Sequence, residues 1–403
     1  MSLSRAQLAL IALVVLTTLC GSALARAQTR PSLVPPPPAK KGAPTWHFKL
    51  VGGGTWYSNP FFVGAVPGTT WSTHGEASLG HEHTFRSGVF TWSGHGGAFY
   101  YPEVEGLNQP TYGGAVSLTW APGRRSTNIN LRQDYQRSNT RSLVTLDPEG
   151  LPLPTSGLDN ATSSLSFDQK LSRSWEFQAG GSYIYRRYDD PRLIGGDDLG
   201  ASARLGIRAG RTGLAFLAYH YTASRFVGNA QAIALGNAQG NALGSHQGLI
   251  GYQRRPPRGL VLEVAGGVGY VESVQKAYPS GSAAIAAVGR KASIEARYYR
   301  SFGQAFGYGQ TSIADIFSAL ATWTPVRKLT VSADYNYGYR RSPGDEGNTI
   351  SSWIASGGFG WDVGGGVGFA ARYSKEHNDT YVATVPVNGD KVLVALSYGV
   401  DWR

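Results

Sequence analysis

The side chains that could do chemistry in this chain are mainly arginines and lysines set into short segments of alternating polarity. Residues two apart in a β-strand share a face, so these cations would project from the less apolar side of each segment. Basic groups outnumber acids on that side, and rings of basic groups in a water-filled interior favour anions. The candidates for this lining are Arg132, Lys170, Arg186, Arg204, Arg208, Arg297, Arg340 and Arg372.

The histidines do not suggest a metal site. His81 and His83 share a strand face with apolar residues, whereas His74 and His95 point the other way. A structural zinc site usually needs a tetrahedral set of ligands, and no such set stands out. Cys20 is the only cysteine, so no thiolate site is expected. We therefore predict no metal and no other cofactor.

Catalytic side chains are equally hard to find. The nearest pairs are His220 with Ser224 and Ser245 with His246, but neither has a recognisable third group to orient the base. The basic residues are scattered through separate turns instead of forming one patch with stacking aromatics, which argues against nucleic-acid binding. The sequence predicts a protein that is not an enzyme.

The elements that position these groups form one repeating unit. From Trp46 onwards, alternating runs of about ten residues are followed by breaks. In Leu329–Tyr339, one face carries leucine, valine, alanine and tyrosines, and the other carries Thr330, Ser332, Asp334 and further polar residues. The polar face needs water opposite it, and the apolar face needs lipid or a core.

The breaks alternate between short and long, with long ones that include residues 273–282, 303–310 and 341–349. This alternation predicts about 18 antiparallel strands with both chain ends on the short-turn side, as in a transmembrane up-and-down β-barrel with short periplasmic turns and long extracellular loops. Sixteen strands is the alternative, because Ala283–Val288 and residues 303–323 are poorly patterned. The loop Val227–Gly244 is the candidate for an inward constriction or a cap over the mouth.

Tryptophans gather at the strand ends next to the short turns, and tyrosines lie towards the long loops. Two bands of amphipathic rings are typical of the two interfaces of a bilayer. The predicted girdle on the short-turn side consists of Trp46, Trp120, Trp175, Trp323 and Trp361.

The start of the chain reads as a secretory signal peptide over residues 1–27, with Arg5 before the apolar run Leu8–Leu19. Residues 28–44 are rich in proline and predict an extended periplasmic lead-in. Residues 45–403 are predicted to form the barrel.

The last segment, Lys391–Arg403, is apolar at every second position and has no helical period. It resembles the C-terminal targeting strand of bacterial outer-membrane β-barrels, although Arg403 follows the terminal aromatic. The resemblance implies an outer-membrane location, recognition by the barrel-assembly machinery, and pairing of this strand with the first. The residues that carry the signal are Val394, Leu396, Tyr398, Val400 and Trp402.

The whole predicted barrel resembles outer-membrane porins, which implies a channel for passive passage of small hydrophilic solutes, with anion preference from its lumen cations. A second reading is similarity to alginate-export-type channels for an anionic exopolysaccharide, and a third is a structural or adhesive barrel that does not conduct. The expected partners are outer-membrane lipid and lipopolysaccharide, small hydrophilic or anionic solutes, and a second copy of the chain in a homo-oligomer.

Overall fold

The structure is a computed structural model of the chain. It describes residues 46–59, 68–102, 108–122, 127–139, 156–190, 193–227, 243–256, 259–305, 310–343, 345–380 and 386–402. The predicted signal peptide and proline-rich lead-in lie outside these residues. No helix in the described part of the chain is long and apolar enough to cross a membrane.

Eighteen strands make up the described fold. They are β1 Trp46–Tyr57, β2 Thr70–Phe85, β3 Gly88–Tyr100, β4 Gln109–Trp120, β5 Thr127–Asn139, β6 Gly157–Lys170, β7 Trp175–Tyr188, β8 Gly195–Ala209, β9 Gly213–Val227, β10 Leu243–Arg254, β11 Gly259–Val271, β12 Lys276–Val288, β13 Ala292–Ala305, β14 Gln310–Val326, β15 Leu329–Ser342, β16 Asp345–Gly364, β17 Val367–Thr380 and β18 Val387–Trp402.

All strands belong to one antiparallel sheet in which each strand pairs with its neighbours along the chain. The sheet closes because β1 pairs with both β2 and β18, in a register that runs from Trp46 opposite Trp402 to Tyr57 opposite Lys391. The predicted 18-stranded up-and-down barrel is confirmed, and the 16-stranded alternative is wrong. The poorly patterned segments, Ala283–Val288 and 303–323, belong largely to β12, β13 and β14.

The predicted alternation of short and long breaks is wrong in three places. The strands flanking the predicted long breaks at 273–282, 303–310 and 341–349 continue further, so the intervening loops are as short as the turns at the opposite end. In β12, small residues such as Pro279 and Gly281 occupy the outward positions, and they look like loop residues when a sequence is read by polarity. Strand ends beyond the bilayer meet water on both faces and need no alternation.

The outward face of the wall is apolar. Its exposed residues include leucines, valines and aromatic rings on most strands. Because Trp46 lies opposite Trp402, the rings at the junction of β1 and β18 share this face, and their centroids stack 6.4 Å apart. The structure places on this face Val394, Leu396, Tyr398, Val400 and Trp402 of β18, and the tryptophans Trp46, Trp120, Trp175, Trp323 and Trp361.

The glycine run Gly364–Gly366 makes the turn between β16 and β17. All three residues have positive φ angles, of 108°, 63° and 84°. Glycine adopts such angles without a steric penalty, which explains this cluster as a tight turn.

Barrel closure can be tested with paired cysteines in a Cys20→Ser background. Phe48 and Val400 are opposite each other on β1 and β18. Residues paired in this way lie about 5 Å apart between Cα atoms, within the range of a disulfide. We expect Phe48→Cys with Val400→Cys to cross-link in the folded protein, seen as altered mobility on non-reducing gels.

The matched control is Phe48→Cys with Leu396→Cys. Leu396 is opposite Gly52, so its Cα should lie more than about 10 Å from that of residue 48, beyond the reach of a disulfide. Equal cross-linking of both pairs, or none in the first, would contradict the described closure.

The barrel lumen as the candidate functional site

The strand register divides the wall into an outward and an inward face. On β8, Leu205 and Ile207 are exposed on the outward face, so Arg204 and Arg208 point into the lumen. The same alternation puts each predicted lumen residue on the inward face: Arg132, Lys170, Arg186, Arg204, Arg208, Arg297, Arg340 and Arg372.

Acids line the lumen about as often as bases, so the expected excess of basic groups is wrong. The inward positions of the described strands carry Glu76, Asp134, Asp168, Glu176, Asp198, Glu263, Glu295, Asp334 and Glu376. The predicted excess overlooked inward acids, including Asp334 in the clearly alternating run Leu329–Tyr339.

Most of the lumen arginines form ion pairs with these acids. Arg132 lies 3.1 Å from Asp134, two residues along the same strand. Arg208 lies 3.1 Å from Glu176 on the neighbouring strand. Three further pairs join Arg204 to Glu263, Arg297 to Glu295, and Arg372 to Asp334.

In each of these pairs the cation is more exposed than the acid. The side chain of Arg132 is 61% exposed against 29% for Asp134, and that of Arg208 is 47% exposed against 26% for Glu176. The other three pairs differ in the same direction. An arginine side chain is longer than that of its acid partner, so in the two exposed pairs lumen water meets the guanidinium groups of Arg132 and Arg208 before the acids.

The pair of Arg204 and Glu263 belongs to a tighter cluster. The guanidinium carbon of Arg204 lies 3.6 Å from the centroid of the Phe216 ring, a cation–π contact. One guanidinium nitrogen donates to Gln253 at 3.3 Å, and the Gln253 amide donates to Glu263 at 2.5 Å. Gln253 and Glu263 are both buried, so this cluster is shielded from lumen water.

The two halves of the lumen differ in access. At the end with the chain termini, inward residues such as Arg132, Lys170 and Arg208 are exposed. Towards the opposite end, inward residues such as Arg186 and Arg340 are buried, and a guanidinium nitrogen of Arg340 lies 3.4 Å from the hydroxyl of Ser312. The lumen is therefore open on the periplasmic side and filled on the extracellular side.

Part of that filling is the extracellular end of the hairpin formed by β13 and β14, residues 300–305 and 310–315, which we call the inturned hairpin end. Pairing of β13 with β12 stops at Tyr299, whereas its pairing with β14 continues to Ala305. The Ser245 hydroxyl donates to the carbonyl of Phe302 at 3.2 Å, and the Gln247 amide donates to the carbonyl of Arg300 at 3.3 Å. Ser245 and Gln247 face inward on β10, so this hairpin end lies inside the barrel.

The Phe302 side chain anchors the inturned hairpin end. Its ring occupies the space beside Gly269, where a larger residue on the inward face of β11 would collide with it. The ring lies 6.3 Å from that of Tyr278 and is buried with Val271 and Ile313. This contact holds the hairpin against the inner wall.

Sequence reasoning missed this segment and placed the constriction at Val227–Gly244, where residues 228–242 lie outside the described part of the chain. The poor alternation of residues 303–323 was the available signal. A hairpin end surrounded by protein on both faces has no reason to alternate between lipid and water.

Among the described residues, the candidate Ser–His pairs and the histidines are not arranged for catalysis or for binding a metal. Ser245 faces inward and His246 outward, where His246 contacts the Tyr219 hydroxyl at 2.6 Å and Glu272 at 2.7 Å. His220 and Ser224 share a face but stand four residues apart, or roughly 13 Å along the strand. Within the described residues, no group of three potential metal ligands comes together.

A closed antiparallel wall with an apolar outside and a polar, partly accessible inside defines the class of this protein. In hydrocarbon, only closed barrels and helices satisfy all backbone hydrogen-bonding groups. The chain is a porin-like transmembrane β-barrel, and barrels of this type lie in the bacterial outer membrane.

Comparisons with known proteins give structural likeness only. No protein-family profile and no curated protein matches the sequence. Solved structures that share the architecture include the siderophore receptor PirA from Pseudomonas aeruginosa, with a TM-score of 0.46 and 8% identity over 90% of this chain and 81% of that one. The outer membrane protein OpdK from the same species has a TM-score of 0.46 and 11% identity, over 89% and 99%.

OccAB4 from Acinetobacter baumannii has a TM-score of 0.45 and 9% identity, over 89% of this chain and 99% of that one.

The shielded cluster around Arg204 should matter more for stability than the exposed pair at Arg208. We expect Glu263→Gln to lower the free energy of unfolding by about 2 kcal/mol, because it leaves a shielded guanidinium without its carboxylate. The matched change Glu176→Gln should cost less than about 1 kcal/mol. Urea titration in lipid vesicles, followed by tryptophan fluorescence, measures both, and equal losses would contradict the difference in shielding.

Proposed function

We propose that this protein is a channel for the passive passage of small hydrophilic solutes across the outer membrane, without catalytic activity. The observation that carries the proposal is a closed wall with a charged, solvent-exposed inner face at the periplasmic end. Barrels of 16 to 18 strands are wide enough to leave an aqueous interior. The inturned hairpin end and the buried outer half narrow this interior, which favours small solutes over large ones.

We further propose that the channel prefers anions, although its charges are nearly balanced. The preference would come from how far the charged groups reach into the lumen and not from how many there are, because the arginine is the more exposed side chain of each ion pair. A solute in the lumen would approach these cations more closely than the acids behind them, and Coulomb energies fall with distance. The preference should be modest and weaken at high salt, since each cation has an acid nearby.

An export channel for an anionic exopolysaccharide would use the same cations but needs a continuous path wide enough for a polymer. The buried outer half supports the small-solute proposal over this one. A non-conducting structural or adhesive barrel would show no channel current in planar bilayers.

The proposed partners follow from the same architecture. Outer-membrane lipid and lipopolysaccharide would contact the outward face, and the barrel-assembly machinery would recognise the alternating residues of β18, from Val394 to Trp402. Homo-oligomer formation through the outer wall remains part of the proposal, as in porins.

Selectivity gives the sharpest test of anion preference. We expect the double change Arg132→Gln and Arg208→Gln to move the reversal potential in a salt gradient towards cation preference, because it removes exposed cations and leaves Asp134 and Glu176 in place. The measurement is single-channel recording in planar bilayers.

The matched control is Arg187→Gln, which removes an exposed cation from the outward face of β7. It should leave the reversal potential unchanged. Cation preference in the unaltered channel, or equal shifts in both variants, would contradict the proposed anion preference. The proposal that the protein is a channel would still hold.

Conductance tests the role of the inturned hairpin end. Phe302→Ala removes the ring that holds this end against Gly269, so the hairpin should move more freely and single-channel conductance should rise or become noisier. Phe99→Ala is the control, because Phe99 also faces inward but contacts His74 on another part of the wall. An unchanged Phe302→Ala channel would mean that this hairpin does not limit flow.

A further inference from the structure

The seam between β12 and β13 is the shortest run of paired residues among the described strands. It extends only from Ser282 opposite Tyr299 to Val288 opposite Ser293. The β11–β12 seam continues towards the extracellular end as far as Val271 opposite Lys276. Residues 276–281 of β12 therefore have a neighbouring strand on one side only. Pro279 lies in this stretch, and a proline, which has no N–H to donate, is tolerated mainly at such free edges.

This free edge lies at the height of the membrane's hydrocarbon. Pro279 is paired with Val268, which is exposed on the outward face, and Tyr270 follows two residues nearer the extracellular end. Tyrosines at that end mark the outer interface, so the free edge begins inside the apolar band. Gly281 and its partner Gly266 add no side chains to cover it.

Side chains bridge the opening in place of a backbone ladder. The guanidinium of Arg300 donates to the carbonyl of Pro279 at 3.3 Å and holds Asp315 through two hydrogen bonds of 2.7 and 2.8 Å. On the lumen side, the Gln247 amide bonds to the Ser280 hydroxyl and to the Arg300 carbonyl. These side-chain bonds do not belong to the strand pairing of the wall, which begins at Ser282 opposite Tyr299.

Apolar side chains are buried inside the barrel behind the free edge. Val271, Phe302 and Ile313 form one buried cluster next to it. A second cluster on β9, β10 and β11 contains Phe216, Ala218, Leu249 and Ala265. The free edge therefore separates lipid outside from two buried apolar clusters inside, and the guanidinium group of Arg204 packs on the Phe216 ring of the second cluster.

We propose that the stretch between residues 276–281 of β12 and 300–303 of β13 is a side opening for single-chain amphiphiles such as long-chain fatty acids. Because these apolar side chains are buried, the acyl chain reaches Leu249 and Val271 only when the inturned hairpin end moves away with Phe302, and the polar head stays in the aqueous lumen. Movement of the inturned hairpin end frees the seam, and the chain then passes between the lumen and the outer leaflet. Polar solutes gain nothing from this route, because it leads into hydrocarbon.

Photolabelling tests the proposal on the unaltered protein in lipid nanodiscs. The probe is a long-chain fatty acid that carries a diazirine at the end of its chain. After illumination, peptide mass spectrometry should place adducts on the inward residues of β9–β11 and along residues 276–281 and 300–303. Adducts spread evenly over the outward face of the barrel, as bulk lipid would give, would overturn the proposal.

Two variants test separately the apolar residues that would hold the acyl chain and the opening at the seam. Leu249→Asn places an amide among the apolar side chains that the acyl chain would contact, and we expect at least a fivefold loss of inward adducts. Its control is Ile354→Asn on the inward face of β16, which should leave them unchanged. Gly281→Trp should obstruct the opening and cause a similar loss, whereas Gly96→Trp on the outward face of β3, beside fully paired strands, should not.

Folding of each variant is checked by its heat-modifiable migration on gels, and ion conductance is recorded from the same preparations. Equal labelling of Leu249→Asn and Ile354→Asn would overturn the side opening. If labelling is equal but conductance is normal, the side opening is overturned and the aqueous channel is kept. If inward labelling occurs without conductance, the aqueous channel is overturned and the side opening is kept.

Discussion

The closed hydrogen-bond ladder is the constraint on which the rest of the structure depends. Hydrocarbon offers backbone N–H and C=O groups no partner, so a strand that crosses a membrane must be paired on both sides. The pairing of β1 with β18 along its full length supplies the last of these partners. Once the wall is closed, alternate side chains face lipid and water, and the lumen is free to carry charge.

The same constraint gives the β12–β13 seam its significance. Backbone pairing gives way there within the apolar band, and Arg300 and Gln247 take over part of its role with side-chain hydrogen bonds. The strand that leaves the wall does not go into solvent. It turns inward, and the socket beside Gly269 receives Phe302. One hairpin thus both weakens the wall and fills the lumen.

The lumen charges show why counting residues is a poor guide to a channel's field. Bases and acids are nearly balanced on the inward face, and most arginines lie against an acid. What differs is depth, because the longer arginine side chains stand in front of shorter acids such as Asp134. Burial then separates pairs of the same chemistry: Arg208 and Glu176 meet water, whereas Arg204 and Glu263 lie beside Phe216.

The sequence by itself determined the barrel and the face on which each candidate arginine lies, and it predicted about 18 strands while leaving 16 as the alternative. These follow from an alternation of two residues, which the bilayer imposes on every crossing strand from Trp46 to Trp402. It could not place the strand ends beyond the bilayer, the inturned end of β13 and β14, or the partners of the lumen arginines. Those features depend on contacts between residues far apart in the chain, such as Ser245 with Phe302, and only the tertiary structure brings such residues together.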